Sequence, residues 1–281
     1  MTNPISDPFV ENVISADVTA APVALAATQD GVARVTLNRP HAQNAFDGPS
    51  INALTEIFET LQGAEGVRIV FLQGAGGQFS AGHDHDWMRM GVDWSEDDNR
   101  DDALATAAML KALNDIPALT VALVEGSATG TGAGLVAACD MAIATSDATF
   151  AFTEVKLGLV PATVSPYVIR AVGARQAVAL FATGHEVDAA HARAIGLVQG
   201  VVADSAALDA ARDALSAQIK SSGPQAVDAI KQLVRHVAGQ PLSHGLIEDT
   251  AKRQAKARFS QEGREGMAAV LAQRKPSWAQ G

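Results

Sequence analysis

LTVALVEGSATGTGAGLVAACDMAIAT, residues 119–145, is the segment on which the fold class turns. Its first six residues are apolar but for Thr120, and 141–145 (MAIAT) are nearly so. Short runs this apolar suit strands covered on both faces, as in a parallel sheet, rather than strands with one wet face. Between them stand Gly126, Gly130, Gly132 and Gly134, followed by a short apolar stretch that suits a helix. Strand, glycine loop, helix and strand in that order mark an α/β fold.

Upstream, 67–72 (VRIVFL) reads as another buried strand, broken by Gly74, Gly76 and Gly77. Residues 32–38 (VARVTLN) alternate and run into Arg39-Pro40, a strand entering a turn. Asp47 is placed to cap a helix whose Ile51, Leu54, Phe58 and Leu61 recur at spacings of three and four. An Ala/Leu-rich helix over about 101–114 follows an acidic loop. Downstream, strands and helices alternate to about residue 203. Beyond that the pattern is helical, with Pro224 in a first turn and Val227, Ile230, Val234 and Val237 at helical spacing. The expected organisation is a loose extension over 1–30, a core carrying the chemistry over 31–204, and a helical region over 205–281.

The 281 residues are 48% hydrophobic and 19% charged, enough to bury roughly three quarters of the unfolded surface without a covalent or metal staple. The single cysteine, Cys139, excludes an internal disulfide, a zinc ribbon and a thiol redox pair. A net charge of -10 argues against nucleic acid or an anionic membrane as partner. The charge is uneven: 84–102 holds eight acids against Arg89 and Arg100, whereas 252–275 holds seven bases against Glu262 and Glu265. The acids of 93–102 read as a solvated loop. No run approaches the ~20 apolar residues of a membrane span. The first 33 residues lack Lys and Arg, which secretory and mitochondrial presequences require, so a cytoplasmic protein is expected.

Two glycine-bearing loops carry the candidate chemistry. QFSAGHD (78–84) and EGSATGTGAG (125–134) each follow a buried strand, and small residues there let backbone amides approach a ligand closely. Amides at a helix start also carry partial positive charge. Two such loops facing one point would form an oxyanion hole. Gly132-x-Gly134-x-x-Ala137 formally matches a dinucleotide fingerprint, but about seven residues separate it from the strand end, where the nucleotide turn follows at once. His83-x-His85 has the look of a metal pair, yet no third ligand is placed by spacing, and two loop histidines are the plainer reading. Asp140 reads as a structural acceptor at a helix end and Cys139 as a small buried apolar residue.

NRPHAQNAF (38–46), FSAGHD (79–84), VEGSATGTGAGLVAACD (124–140), FTEVKLGLVPA (152–162) and REGMAAVLAQRKPSW (264–278) resemble the enoyl-CoA hydratase/isomerase, or crotonase, superfamily. The likeness runs from about Gly31 to Trp278. It implies a crotonase-like spiral of strand-strand-helix turns, with a helical C-terminal region that builds homotrimers, often paired into hexamers. It also implies an acyl-CoA thioester substrate, with no metal and no cofactor beyond the coenzyme A of the substrate itself. The resemblance places the two oxyanion-hole amides on His83 and Thr131, where the family more often has Ala and Gly. Ala81 and His85 match positions that meet the CoA adenine, with Asp84 beside them, and Arg39, His41 and Ala42 match a loop lining the CoA phosphates and pantetheine.

Family hydratases usually supply two glutamates. The second matches Glu154, and the first falls on Gly134, which has no side chain. Glu154 lies in an apolar stretch, 148–164, whose other charged residue is Lys156, so partial burial would raise its pKa. The segment 157–173, with FSAGHDHDWM and the Gly134 variant, resembles the branch of 3-methylglutaconyl-CoA and isohexenylglutaconyl-CoA hydratases. Substrates there carry a carboxylate, for which Arg89, His83 and Tyr167 are the candidate partners. The expectation is an enoyl-CoA hydratase. The alternatives are a double-bond isomerase using Glu154 alone, or a catalytically silent acyl-CoA-binding homologue.

Overall fold

The parallel sheet expected from the apolar runs is present in the computed structural model, which describes residues 21–28 and 30–279. Six strands lie in the order β1-β2-β3-β4-β6-β9: β1 (Val23–Ala27), β2 (Val32–Leu37), β3 (Ile69–Gly74), β4 (Leu119–Val124), β6 (Met141–Thr145) and β9 (Gly200–Val202). All neighbours run parallel except β1, which pairs antiparallel with β2. In register, Phe71 faces Val121, which faces Met141. Expected as part of a loose extension, 23–27 is instead an edge strand, and its Val23 is buried. Residues 1–20 lie outside the described residues.

A second, smaller sheet takes β5 (Ser127–Thr129), β7 (Thr149–Ala151) and β8 (Val187–Asp188). The chain passes from β4 to β5, through helix α4 (Thr131–Ala138), back to β6, on to β7, and then to helix α5 (Ser165–Thr183). One strand of each pair joins the large sheet and the other the small one. After β3, Ser80 bridges Ala128 of β5 in the same manner. This repetition is the spiral of strand-strand-helix turns, and it brings the start of α4 and the loop after β3 to one side.

Helix α1 (Gly48–Gly63) buries Ile51, Leu54, Phe58 and Leu61, and the Asp47 side chain caps it by accepting from the Ser50 amide (2.9 Å). Burying side chains of this size stabilises by about 1.5–3 kcal/mol each. The acidic segment is not a loop. Residues 85–91 form α2 (His85–Gly91), and Ser95 and Asp98 form a capping box that starts α3 at Glu96, extending it to Asn114. Glu96, Asp97 and Asp98 in that first turn sit where the helix dipole favours negative charge. The Trp87 indole of α2 donates to Asp102 of α3 (2.9 Å) and packs edge-to-face on Trp94.

After α5 come α6 (Ala189–Ala194) and β9, and from there the described chain is helical: α7 (Ser205–Ile219), α8 (Pro224–Val237), α9 (His244–Phe259) and α10 (Gln261–Leu271). Lys231 anchors α8 to the core. Its ammonium donates to the carbonyls of Ile116 (2.6 Å) and Ala118 (2.7 Å) and pairs with Asp140 (2.6 Å). Asp140 also accepts from the Thr120 amide and hydroxyl (2.9 Å each), the structural acceptor its place after α4 suggested. Cys139 is buried, which pushes its thiol pKa up and leaves it unreactive. Among the described residues, no helix is long and apolar enough to cross a membrane.

Candidate active site

The segment 79–84 is held between two neighbours. On one side Phe79 and Ser80 donate to Glu125 and Ser127 (2.8 and 3.0 Å), and Thr129 donates back to Ser80 (2.9 Å). On the other, Ala81 donates to Gln43 (3.0 Å), Phe46 to Gly82 (2.7 Å) and Asp84 to Phe46 (2.9 Å). The Gly82 amide donates to the Ser80 hydroxyl (3.1 Å), which in turn donates to the Asn44 carbonyl (2.8 Å). Within 79–84 the His83 amide is the one left without an acceptor among the described residues. At this half-buried position the amide is open to a ligand.

Helix α4 supplies a second free amide. Gly130 is its N-cap, without side-chain capping, and donates its own amide to Ala151 (2.8 Å). The amide of Thr131, the first helical residue, has no main-chain acceptor among the described residues, as expected at a helix start. Gly130 needs glycine for its φ of +53°, and an added Cβ there would crowd Glu154 Oε1 at 3.0 Å. The side chains of His83 and Thr131 meet, Nδ1 to Oγ1, at 3.5 Å. Two free amides therefore share one small region with the Glu154 carboxylate beside them.

Glu154 opens a 3-10 turn (Glu154–Leu157) just after β7. Phe152 fixes this corner: it is buried and packs edge-to-face on Phe181 of α5. Glu154 Oε2 is buried with no hydrogen-bond partner. Burial raises the carboxyl pKa, and its own amide and the charge of His83 offset part of the rise. A half-buried carboxylate with one oxygen desolvated and unpartnered is poised to exchange a proton.

Gly134 also follows a requirement, though a different one. A Cβ there would sit 2.7 Å from Val164 Cβ, with Val164 Cγ1 closer still. Val164 is buried at the start of α5 and fills the space that a side chain at 134 would need. Neither Val164 nor Asn44 stood out in the sequence. Asn44 is buried at φ +55°, donates to the Ala75 and Gln78 carbonyls (2.9 and 2.6 Å) and accepts from the Arg39 amide, joining three loops at the site. The NRPHAQNAF motif contains it, but only its partners reveal the role.

The remaining expected residues form the rim. Arg39 turns inward: its guanidinium pairs with Asp47 (3.0 Å) and Asp84 (2.9 Å) and donates to the Ala45 carbonyl (2.6 Å). That pairing clamps 39–47 to 84 and neutralises the charge available to a phosphate. Asp84 caps α2, and the Arg39 pair and two helix amides hold its pKa low against the opposing effect of burial. Ala81 lies beside Gln43 and hence next to Ala42, while His41 and His85 are exposed. Arg89 is exposed and paired with Asp86 (2.5 Å), and Tyr167 lies under Arg170, 5.5 Å from ring to guanidinium. Among the described residues, no three His, Cys, Asp or Glu gather into a metal site. Between β4 and Gly132 runs β5, a strand of the other sheet, which removes the strand-to-helix turn that a dinucleotide fingerprint needs.

The family model for enoyl-CoA hydratase/isomerase matches residues 27–281. An enoyl-CoA hydratase from Shewanella pealeana superposes with a TM-score of 0.90 at 32% identity, covering 96% of this chain and 99% of that one. AtuE of Pseudomonas aeruginosa gives a TM-score of 0.87 at 35% identity, covering 92% and 100%. The (E)-benzylidenesuccinyl-CoA hydratase of Thauera aromatica is 31% identical over 222 residues, 77% of this chain and 83% of the relative. With the spiral, the two glycine loops and the match over nearly the whole chain in agreement, the protein belongs to the enoyl-CoA hydratase/isomerase family, the crotonase superfamily.

Proposed function

We propose that this protein is an enoyl-CoA hydratase, adding water across the α,β-double bond of an acyl-CoA thioester. One observation carries the reading: the unpaired amides of His83 and Thr131 lie together beside the buried, unpartnered Oε2 of Glu154. The thioester oxygen takes both amides, which stabilise the enolate-like charge; losing one such donor costs about 100- to 1000-fold in rate. Glu154 accepts a proton from water as oxygen bonds to the β-carbon, then returns it to the α-carbon. The reaction asks for no cofactor, since the coenzyme A is part of the substrate. Ala81, Asp84 and His85, with the Arg39, His41 and Ala42 loop, are the proposed contacts to that coenzyme A.

The isomerase reading rests on Gly134, because a single carboxylate suffices to move a proton between two carbons. The silent-homologue reading is disfavoured by Glu154, whose Oε2 is buried without a hydrogen-bond partner at a cost in stability. The finer assignment, a branched glutaconyl-type acyl group, rests on the resemblance of 157–173. A homotrimer or a hexamer is proposed on exposed apolar residues such as Ile230 and Val234, one turn apart on α8, and Val155, Leu157 and Val160 beside the site.

Incubation with crotonyl-, 3-enoyl- and 3-methylglutaconyl-CoA, followed by chromatography and mass analysis, tests the reading. The expected product is a 3-hydroxyacyl-CoA from at least one 2-enoyl ester, and the preferred ester names the acyl class. Conversion of the 3-enoyl ester alone, with no gain in mass, would make the protein an isomerase. The filled space at Gly134 has its own consequence. Gly134→Glu is expected to lower stability by about 1–3 kcal/mol through overpacking, read as a lower melting temperature. Adding Val164→Ala should recover part of the loss, because it removes Cγ1 but leaves the Cβ at 2.7 Å, and an unchanged melting temperature in the single variant would contradict the packing described.

A further inference from the structure

The oxyanion role of residues 83 and 131 uses main-chain amides and asks nothing of their side chains. Both positions nevertheless carry hydrogen-bonding groups, and these meet: His83 Nδ1 lies 3.5 Å from Thr131 Oγ1. Thr131 is only 1% exposed, and the imidazole is the one partner shown for its hydroxyl. A buried hydroxyl spent on orienting a ring implies that the ring's orientation matters. The ring also lies near Glu154.

Hydration by a single carboxylate leaves one task unfilled. The attacking water must be held over the β-carbon while Glu154 handles the proton. Gly134 offers no group for this, and Val164 occupies the space where one would stand. We propose that the His83 side chain, oriented by Thr131, binds and aligns the attacking water, doing the work of the absent second carboxylate. This inference rests on the hydratase reading.

In the tautomer that donates Nδ1–H to Thr131, Nε2 is an acceptor and takes one water hydrogen in a hydrogen bond. The other water hydrogen goes to Glu154 as a proton while the water oxygen forms its bond to the β-carbon. The π electrons of the double bond move to the thioester as the enolate. Glu154 then delivers the same proton to the α-carbon, and the carbonyl re-forms. The hydrogen held by His83 stays on oxygen as the new hydroxyl, so the imidazole ends neutral and nothing is oxidised or reduced.

The test separates water addition from proton transfer at carbon. Hydration of crotonyl-CoA needs both groups; exchange of the α-hydrogens of butyryl-CoA in deuterium oxide needs Glu154 and the amides but no attacking water. His83→Ala keeps the amide and should lower kcat for hydration by about 100-fold or more, with KM little changed, and by far more than it lowers the exchange rate. His83→Gln, whose amide oxygen can accept from water, should recover part of the loss. Hydration at the wild-type rate in His83→Ala overturns the proposal and leaves the hydratase reading intact. A parallel fall of hydration and exchange overturns it as well, because the imidazole would then merely shape the site. A wild-type protein that exchanges but never hydrates removes the hydratase reading, and this inference with it.

Discussion

Glu154→Gln is expected to lower kcat for hydration by about 100- to 10,000-fold while the protein still binds acyl-CoA esters. The substitution keeps the shape of the side chain and removes its capacity to take a proton, so the loss falls on kcat rather than KM. The pH dependence follows from the same residue. Burial raises the carboxyl pKa above its ordinary 4.5, and the base form is the one that accepts a proton from water. Activity of the wild type should therefore fall as pH drops through that raised value, and this acid limb should vanish from the residual activity of the variant.

Stability moves in the opposite sense. A carboxyl whose pKa is raised by folding stabilises the native state fully only below its unfolded pKa, and that contribution is lost as pH rises through the folded value. Glu154→Gln has no charge to bury, so at neutral pH the variant should melt above the wild type, and the gap should close in acid. Undiminished hydration in Glu154→Gln would remove this residue from the mechanism. A lower melting temperature at neutral pH would contradict the uncompensated burial of Oε2.

Lys231→Ala should produce the largest stability loss of any single change away from the site. Lys231 is buried, and its ammonium serves two carbonyls and Asp140 at 2.6–2.7 Å. Removing the ammonium leaves two carbonyls unserved and Asp140 with only Thr120 and the longer Arg235 contact (3.9 Å), at a cost of about 3 kcal/mol. In a chain of this size that amounts to a drop of roughly 10 °C in melting temperature. The carbonyls belong to the segment leading into β4, and Asp140 follows α4, so the loss also loosens the far end of the helix that presents the Thr131 amide. Thermal unfolding within about 2 °C of wild type would show that this ammonium is not the anchor of α8.

What could be read from residues alone tracks how local each cause is. The buried strands 119–124 and 141–145 match β4 and β6 because an unbroken apolar run is itself the physical requirement of a covered strand. The strand read at 67–72 lies two residues later, since Val67 and Arg68 precede the ladder and Gly74 still pairs with Leu37. The acids at 96–98 misled because their charge suggests solvent, whereas their place after the Ser95 cap makes them a good first turn. Strands of two or three residues, as in the smaller sheet, are too short to show a period. At the site, the two glycine loops stood out by type and spacing, whereas Glu154 was singled out by the family resemblance. Val164 against Gly134, Asn44 among its three loops, and Lys231 upon Asp140 are tertiary meetings that no local pattern encodes.

The most direct test of the central claim is mass spectrometry of crotonyl-CoA incubated with the protein in heavy-oxygen water. The account predicts a 3-hydroxyacyl-CoA carrying one heavy oxygen on its new hydroxyl, formed by the wild type and lost with Glu154→Gln. An ester that returns with unchanged mass, its double bond moved or untouched, would contradict it.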